Sequence, residues 1–335
     1  MPDLELSLAC LDYLHVRALM QGRVAPEGIR LSCIDLDPEE THPRMLRDRA
    51  FDIAEMGLTF YLGTLNRSDP PFIAIPVFTS RGFRHNTIYV HAASGIESPA
   101  DLIGRRVGEH NCYGHDAGLW SKGILADEHG VAHDSYRYVV GSVLRRRDRA
   151  PDYIPLRPPP SVHIEPAPPD RTLDQMLEAG EIEALFSAVA PPSFTRGSAR
   201  VRRLFPDAEE RERDYCRRTG FHPIMHTVVI KREIYDRDPW VAAALMRAFS
   251  AAKEAAEHYY ETMQSKLHRV LMLAWATELY AANKRLMGDT GWAYGVAANR
   301  AVLETALRYH HEQGLSPRLR TAEELFAPEA LALEA

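Results

Sequence analysis

The alternation of strand and helix in this chain restarts near Ala93 and shifts again at FHPIMHTVVIKREIY, which limits its possible folds more than any other feature. LELSLAC, IRLSCIDL and FDIAEMG read as strands, with helices at Val16–Gly22, Glu39–Arg49 and Leu58–Leu65 between and after them. FIAIPVF and NTIYVHA add two more strands, rich in the β-branched and aromatic residues that suit a pleated apolar environment. The pattern then restarts: Ser98 is placed to cap a helical turn, Leu119–His129 forms a helix ended by Gly130, and SYRYVVG forms a strand. Pro151–Pro169 holds eight of the 23 prolines and reads as an extended connection. A helix at Thr172–Ala179 and the strand IEALFSAVAPPSF close this second series. MHTVVIK is a return strand, followed by helices at Pro239–Tyr260, Leu267–Met287 and Asn299–Gln313. A chain that leaves one α/β series, builds another and returns predicts two lobes joined at a hinge. The expected division is 1–92 with 224–335 as the first lobe and 93–223 as the second, with a ligand cleft between them.

Bulk properties exclude several classes. The 335 residues are 45% hydrophobic and 26% charged, enough for packed cores. A net charge of −6 argues against a nucleic-acid partner, and the dense basic run Arg145–Arg149 beside the proline segment reads as a solvated loop. No stretch reaches the ~18 apolar residues of a membrane span. The N-terminus shows no secretory signal, and Cys10, Cys33, Cys112 and Cys216 form no CxxC pair, so a cytoplasmic protein with free thiols is expected.

The densest chemistry lies between Phe72 and Val90, where Arg81, Arg84 and His85 crowd a short loop between two apolar runs. Two guanidiniums and an imidazole beside a core need an organic anion or acidic side chains as partners. Glu55 ends a strand, Asp12 and Arg17 follow the first strand, and His222 and His226 flank the return. His110, His115 and Asp116 share one loop and raise a metal-site alternative, although their spacing matches no standard motif.

DLIGRRVG, GILADEHGV, TLDQMLEAGEIEALFSAVAPPSF, RTGFHPIMHTVVIKREIY and LRYHHEQGLSPRL with EELFAPE resemble, in order, segments of the 4,5-dihydroxyphthalate decarboxylase family. The resemblance runs from SLACLDYLHVRAL to ELFAPE and implies a two-lobed type II periplasmic-binding-protein-like fold with an interlobe cleft and C-terminal helices. Three places depart from the family pattern. Gly57 stands where the family has Ser, and Ala188–Pro191 reads AVAP where the family has Ala-Arg-Ala-Pro. EHNCYGHDAG replaces a loop close to Pro-Glu-Tyr-Gln-Met-Thr.

The resemblance implies a carboxy-lyase acting on a small hydroxylated aromatic carboxylate, without an organic cofactor. Such a reaction needs a general acid for the ring carbon, a cation for a spectator carboxylate and a dry wall around the departing group. The roles expected are His85 as proton donor, with Glu55 and His115 as supporting polar groups. Arg81, Arg84, Asp12, Arg17 and His226 are expected to bind substrate. Two alternatives stand beside this reading: a non-catalytic solute-binding protein for an aromatic carboxylate, and a metal-dependent lyase or hydrolase using the His110/His115 loop. An apolar face on Leu267–Met287 leaves room for a homo-oligomer.

Overall fold

The structure, a computed structural model, describes residues 3–146, 153–265, 273–288 and 291–333. The chain divides into two compact units, one of 1–81, 216–304 and 320–335, the other of 82–215 and 305–319.

The first unit opens with β1 (Leu4–Cys10), α1 (Arg17–Met20), β2 (Ile29–Asp35), α2 (Pro38–Asp48), β3 (Ile53–Gly57), α3 (Leu58–Thr64) and β4 (Phe72–Arg81). β1 pairs in parallel with β2 and β3. The side chain of Asp37 caps α2 by accepting from the Glu39 N–H at 2.8 Å, and Pro38 occupies the first turn, where no amide donor is needed.

The second unit continues with β5 (Ile88–His91), β6 (Arg106–His110), α4 (Asp116–His129), β7 (Arg137–Gly141) and β8 (Ile164–Pro166). Then come α5 (Leu173–Ala179), β9 (Ala184–Phe186), α6 (Pro192–Thr195), β10 (Val201–Arg203) and α7 (Ala208–Thr219). Its strands lie in the order β10-β5-β9-β6-β7-β8. Gly130 and Gly180 end α4 and α5 at φ 66° and 76°, the left-handed conformation that glycine adopts without Cβ strain. Leu173, Leu177, Ile182, Leu185 and Val139 form its core.

The return strand is β11 (Ile224–Lys231), followed by α8 (Arg232–Arg237), α9 (Trp240–Ser265), α10 (Ala276–Met287), α11 (Arg300–Glu312) and α12 (Pro328–Leu331). β11 inserts antiparallel between β3 and β4, giving the sheet order β2-β1-β3-β11-β4. The first core joins Leu6, Leu8, Ile53, Ile75 and Val228 of this sheet to Val241, Leu245 and Phe249 of α9.

The division differs from the expected one in three places: 82–92 and 305–319 belong to the second unit, and 216–223 to the first. The strand expected within 1–92 as part of the first lobe is β5, which hydrogen-bonds β9 and β10 and so belongs to the second sheet. Residues 305–319, expected in the first lobe, belong to the second unit, where the Gln313 side chain donates to the Leu119 carbonyl at 2.9 Å. The helix expected over Leu267–Met287 begins only at Ala276, since residues 273–275 form a bend and turn with Trp275 at φ 58°; residues 267–272, like Arg147–Arg149 of the basic run, lie outside the described residues.

Candidate functional site

In the first sheet the chain passes from β1 outward to β2 and then returns to β3 on the other side of β1. That reversal is a topological switch point at the carboxyl ends of β1 and β3, the usual ligand position in an open α/β sheet. β11 runs antiparallel to β3 and β4, so His226 near its start lies at this same edge, in register with Gly57 and Ser80.

Glu55 of β3 is fully buried at the centre of this edge. Its Oε1 accepts from the Tyr13 hydroxyl at 2.7 Å and the Thr79 hydroxyl at 3.0 Å, and lies 2.6 Å from Nδ1 of His226. Its Oε2 accepts from the Leu11 N–H at 3.3 Å and the Cys10 thiol at 3.7 Å. Burial opposes charge on this carboxyl, but the hydrogen bond and charge of His226, with help from His42 and Tyr13, hold it below its ordinary value, at about 2. An ionised Glu55 fixes the Nδ1 proton and the ring orientation of His226. His42 packs edge-on against His226 at 5.0 Å, and burial pushes its imidazole down to about 3. His15 stacks on Tyr13 at 5.3 Å and meets Trp292 at 4.8 Å.

The other first-unit candidates make separate contacts. Arg81 at the end of β4 donates to the backbone carbonyls of His222 at 2.9 Å and Ala293 at 2.7 Å, and to the Asn299 side chain at 2.6 Å. Burial lowers its pKa to about 10, so it stays charged near neutrality. Arg17 pairs with Asp12 at 3.0 Å in a bridge that is 41% exposed on the arginine side. His222 meets Trp292 edge-on at 5.3 Å.

In the second unit, Arg84 and His85 precede β5 at the edge where β6, β7 and β9 end. Burial pushes the Arg84 guanidinium down to about 10, against the charges of Asp116 and Glu212. His85 is buried between Phe205 and Tyr215, with Nε2 3.6 Å from Glu128, and burial lowers its pKa.

The loop between β6 and α4 carries the remaining candidates. His115 caps α4, its Nδ1 accepting from the Ala117 N–H at 3.4 Å, while Nδ1 of His110 accepts from the Val143 N–H at 3.3 Å. The two rings sit 5.6 Å apart, edge to face. Among the described residues, no three His, Cys, Asp or Glu side chains are grouped to hold a metal ion. Beneath the loop, Lys122 of α4 bonds both oxygens of Glu109, at 2.6 and 2.8 Å, with both residues fully buried. The Lys122 ammonium also lies 3.9 Å from the centre of the Tyr113 ring, and the Gly114 N–H donates to Glu109 at 2.9 Å.

Of the residues singled out from sequence, the structure joins Glu55 directly to His226 and sets Asp12 and Arg17 against each other. Arg81 belongs to the first unit, Arg84, His85, His110, His115 and Asp116 to the second. Sequence reasoning missed Tyr13, Thr79, His15 and His42 around Glu55, and the Glu109–Lys122 pair. Tyr13 and His15 had a signal in LDYLH, a polar and aromatic run in the loop after the first strand.

No family model matches the chain. It is 34% identical over 332 residues to a 4,5-dihydroxyphthalate decarboxylase of Comamonas testosteroni, covering 99% of this chain and 98% of the relative. The chain belongs to the 4,5-dihydroxyphthalate decarboxylase family. A decarboxylase of the same name from Pseudomonas putida is 35% identical over 221 residues, 66% of this chain and 84% of that one. In fold, this family member is similar to the alkanesulfonate-binding protein SsuA of Xanthomonas axonopodis pv. citri, with a TM-score of 0.52, 14% identity and 98% of each chain covered. A putative periplasmic sulfonate-binding protein of Methylobacillus flagellatus KT gives a TM-score of 0.53 at 15% identity, covering 99% of this chain and 94% of that one. These likenesses show the type II periplasmic-binding-protein-like fold in the family member.

Proposed function

We propose that the protein decarboxylates a small hydroxylated aromatic acid of the 4,5-dihydroxyphthalate type and that His226, held by Glu55, delivers the proton. The observation that carries this reading is the 2.6 Å contact between a buried ionised carboxylate and an imidazole, at the strand edge of a chain from this family. A ring hydroxyl para to the leaving carboxylate pushes electron density to the ipso carbon. The imidazolium protonates that carbon, the bond to the carboxyl carbon breaks, and its electron pair restores the aromatic ring as CO₂ departs. Glu55 stabilises the charged imidazole before the transfer and keeps its ring aimed.

His226 replaces His85 in this role because its side chain is 12% exposed against 2% for His85, whose ring is packed between two aromatics. Arg17, paired with Asp12 but 41% exposed, serves as the anchor for the spectator carboxylate rather than Arg81, which is bonded to two carbonyls and an amide. An arginine on the departing group itself would hold the ground state and slow the reaction.

The test is CO₂ release from 4,5-dihydroxyphthalate and its hydroxylated relatives. In D₂O the product should carry deuterium at the ring position vacated by the carboxyl. His226→Gln should lower kcat by ~10²–10⁴-fold, the usual contribution of a general acid. His85→Gln should change it only a few-fold. Normal turnover in His226→Gln overturns the assignment of the proton donor. Tight binding across the panel with no CO₂ overturns the enzyme reading in favour of a solute receptor.

A further inference from the structure

A cavity of about 280 Å³ lies within the first unit, bounded by α9, α10, the loop after β1 and the segment around Trp292. Its volume is near the lower end for small-molecule sites, and its wall is mostly apolar. Trp292 and Tyr280 supply flat faces, and Tyr280 is itself backed by Tyr260, stacked at 5.2 Å with 15° between the rings. Faces of this kind accept an aromatic ring.

The polar groups on the wall narrow the ligand further. Lys253 and Lys284 face the cavity along with a single carboxylate, Glu257. Lys253 contacts Glu257 at 2.7 Å, and Lys284 lies 3.6 Å from Glu261. With Glu257 and Glu261 as counter-charges, the two ammoniums leave no large surplus of positive charge at the wall, which suits a monoanion better than a dianion. An ammonium has three donors, so the Glu257 contact leaves Lys253 able to bond a ligand carboxylate as well. His15 closes one side, and its Nε2 is buried with no hydrogen-bond partner among the described residues. Burial pushes this imidazole down to about 4, so it is neutral near pH 7 and matches a ring hydroxyl rather than a second carboxylate.

We propose that this cavity is a second, non-catalytic site for a hydroxylated aromatic monocarboxylate, bound between Trp292 and Tyr280 with its carboxylate on Lys253 and Lys284. Removing one carboxyl from 4,5-dihydroxyphthalate leaves 3,4-dihydroxybenzoate, a ligand of this class; that link to the product rests on the decarboxylase reading. The site reports to the Glu55 cluster through His15, whose ring stacks on Tyr13, the donor to Glu55. Occupancy therefore restrains a residue that holds the carboxylate beside His226.

The experiment is calorimetric titration of the full chain with 3,4-dihydroxybenzoate, without turnover. Ala256 lines the cavity from α9, so Ala256→Phe should fill it and remove one binding equivalent per chain. Lys284→Glu changes a side chain that is 37% exposed and should weaken that same equivalent tenfold or more while the fold persists. His226→Gln should leave it unchanged. Phthalate, a dianion, should bind this site at least tenfold more weakly. The proposal is overturned if Lys284→Glu binds within twofold of the parent, or if the equivalent disappears in His226→Gln. Because no CO₂ is measured, a protein that decarboxylates nothing still decides whether this site exists.

Discussion

Lys122→Met is the sharpest test of how the second unit holds the loop between β6 and α4. The substitution removes an ammonium bonded to both oxygens of Glu109 and leaves that carboxylate in a site with no solvent exposure. Breaking a buried pair by removing one partner costs about 3–5 kcal/mol, most of it the burial of the orphaned charge. For a unit of this size, each kcal/mol moves the midpoint by roughly 2–4 °C, so the expected loss is about 6–20 °C. The double variant Glu109→Met/Lys122→Met removes both charges and should recover most of that. It should fall short by about 1–3 kcal/mol, because the Gly114 N–H loses the oxygen that now accepts from it at 2.9 Å. Urea denaturation followed by fluorescence suits the measurement, since Trp120 lies fully buried in the same helix. A single variant within about 1 kcal/mol of the parent refutes the argument. So does a double variant less stable than the single one.

Gly118→Ala attacks the same pair from the other side. Its Cβ would fall 1.8 Å from Oε1 of Glu109, so the carboxylate must move, and urea denaturation should show a loss of about 1–3 kcal/mol. Stability should also fall in acid because burial depresses the His42 and His15 imidazoles to about 3 and 4. The unfolded chain takes up protons near pH 6.5 that the folded chain refuses, so the full stability is present above that pH and is lost below it. Between pH 7 and pH 5 each ring accounts for about 2 kcal/mol. His42→Phe should remove one such share, and an unaltered pH dependence of the urea midpoint would show that the ring is not kept neutral in the folded state. Glu55, with its depressed pKa, adds a further loss as pH falls from 4.5 toward 2.

What the sequence made legible was local. β4 and β11 follow the apolar runs from Phe72 and Met225, and Gly130 and Gly180 end their helices in the left-handed conformation. Ser98 begins its helical turn with a capping box to Asp101. These signals depend on neighbours a few residues apart. The site depends on neighbours far apart: Glu55 and His226 are separated by 171 positions and meet only because β11 inserts beside β3. Both were singled out from sequence, but nothing in their flanks shows that they bond. The division near β5 was missed for the same reason, since pairing with β9 and β10 leaves no mark on the strand itself. Lys122 was hidden because its helix is buried over most of its surface, so it lacks the amphipathic stripe that separates inner from outer positions.

The insertion of β11 also sets an order of events during synthesis. Among the described strands of its sheet β4 is flanked by β11 alone, so its buried run Phe72–Phe78 lacks that neighbour until about 150 further residues have left the ribosome. A chain halted before Ile224 exposes a long apolar strand, a ready template for aggregation. His226 arrives on that same late strand, so a nascent chain gains this imidazole in the step that shields the apolar run of β4.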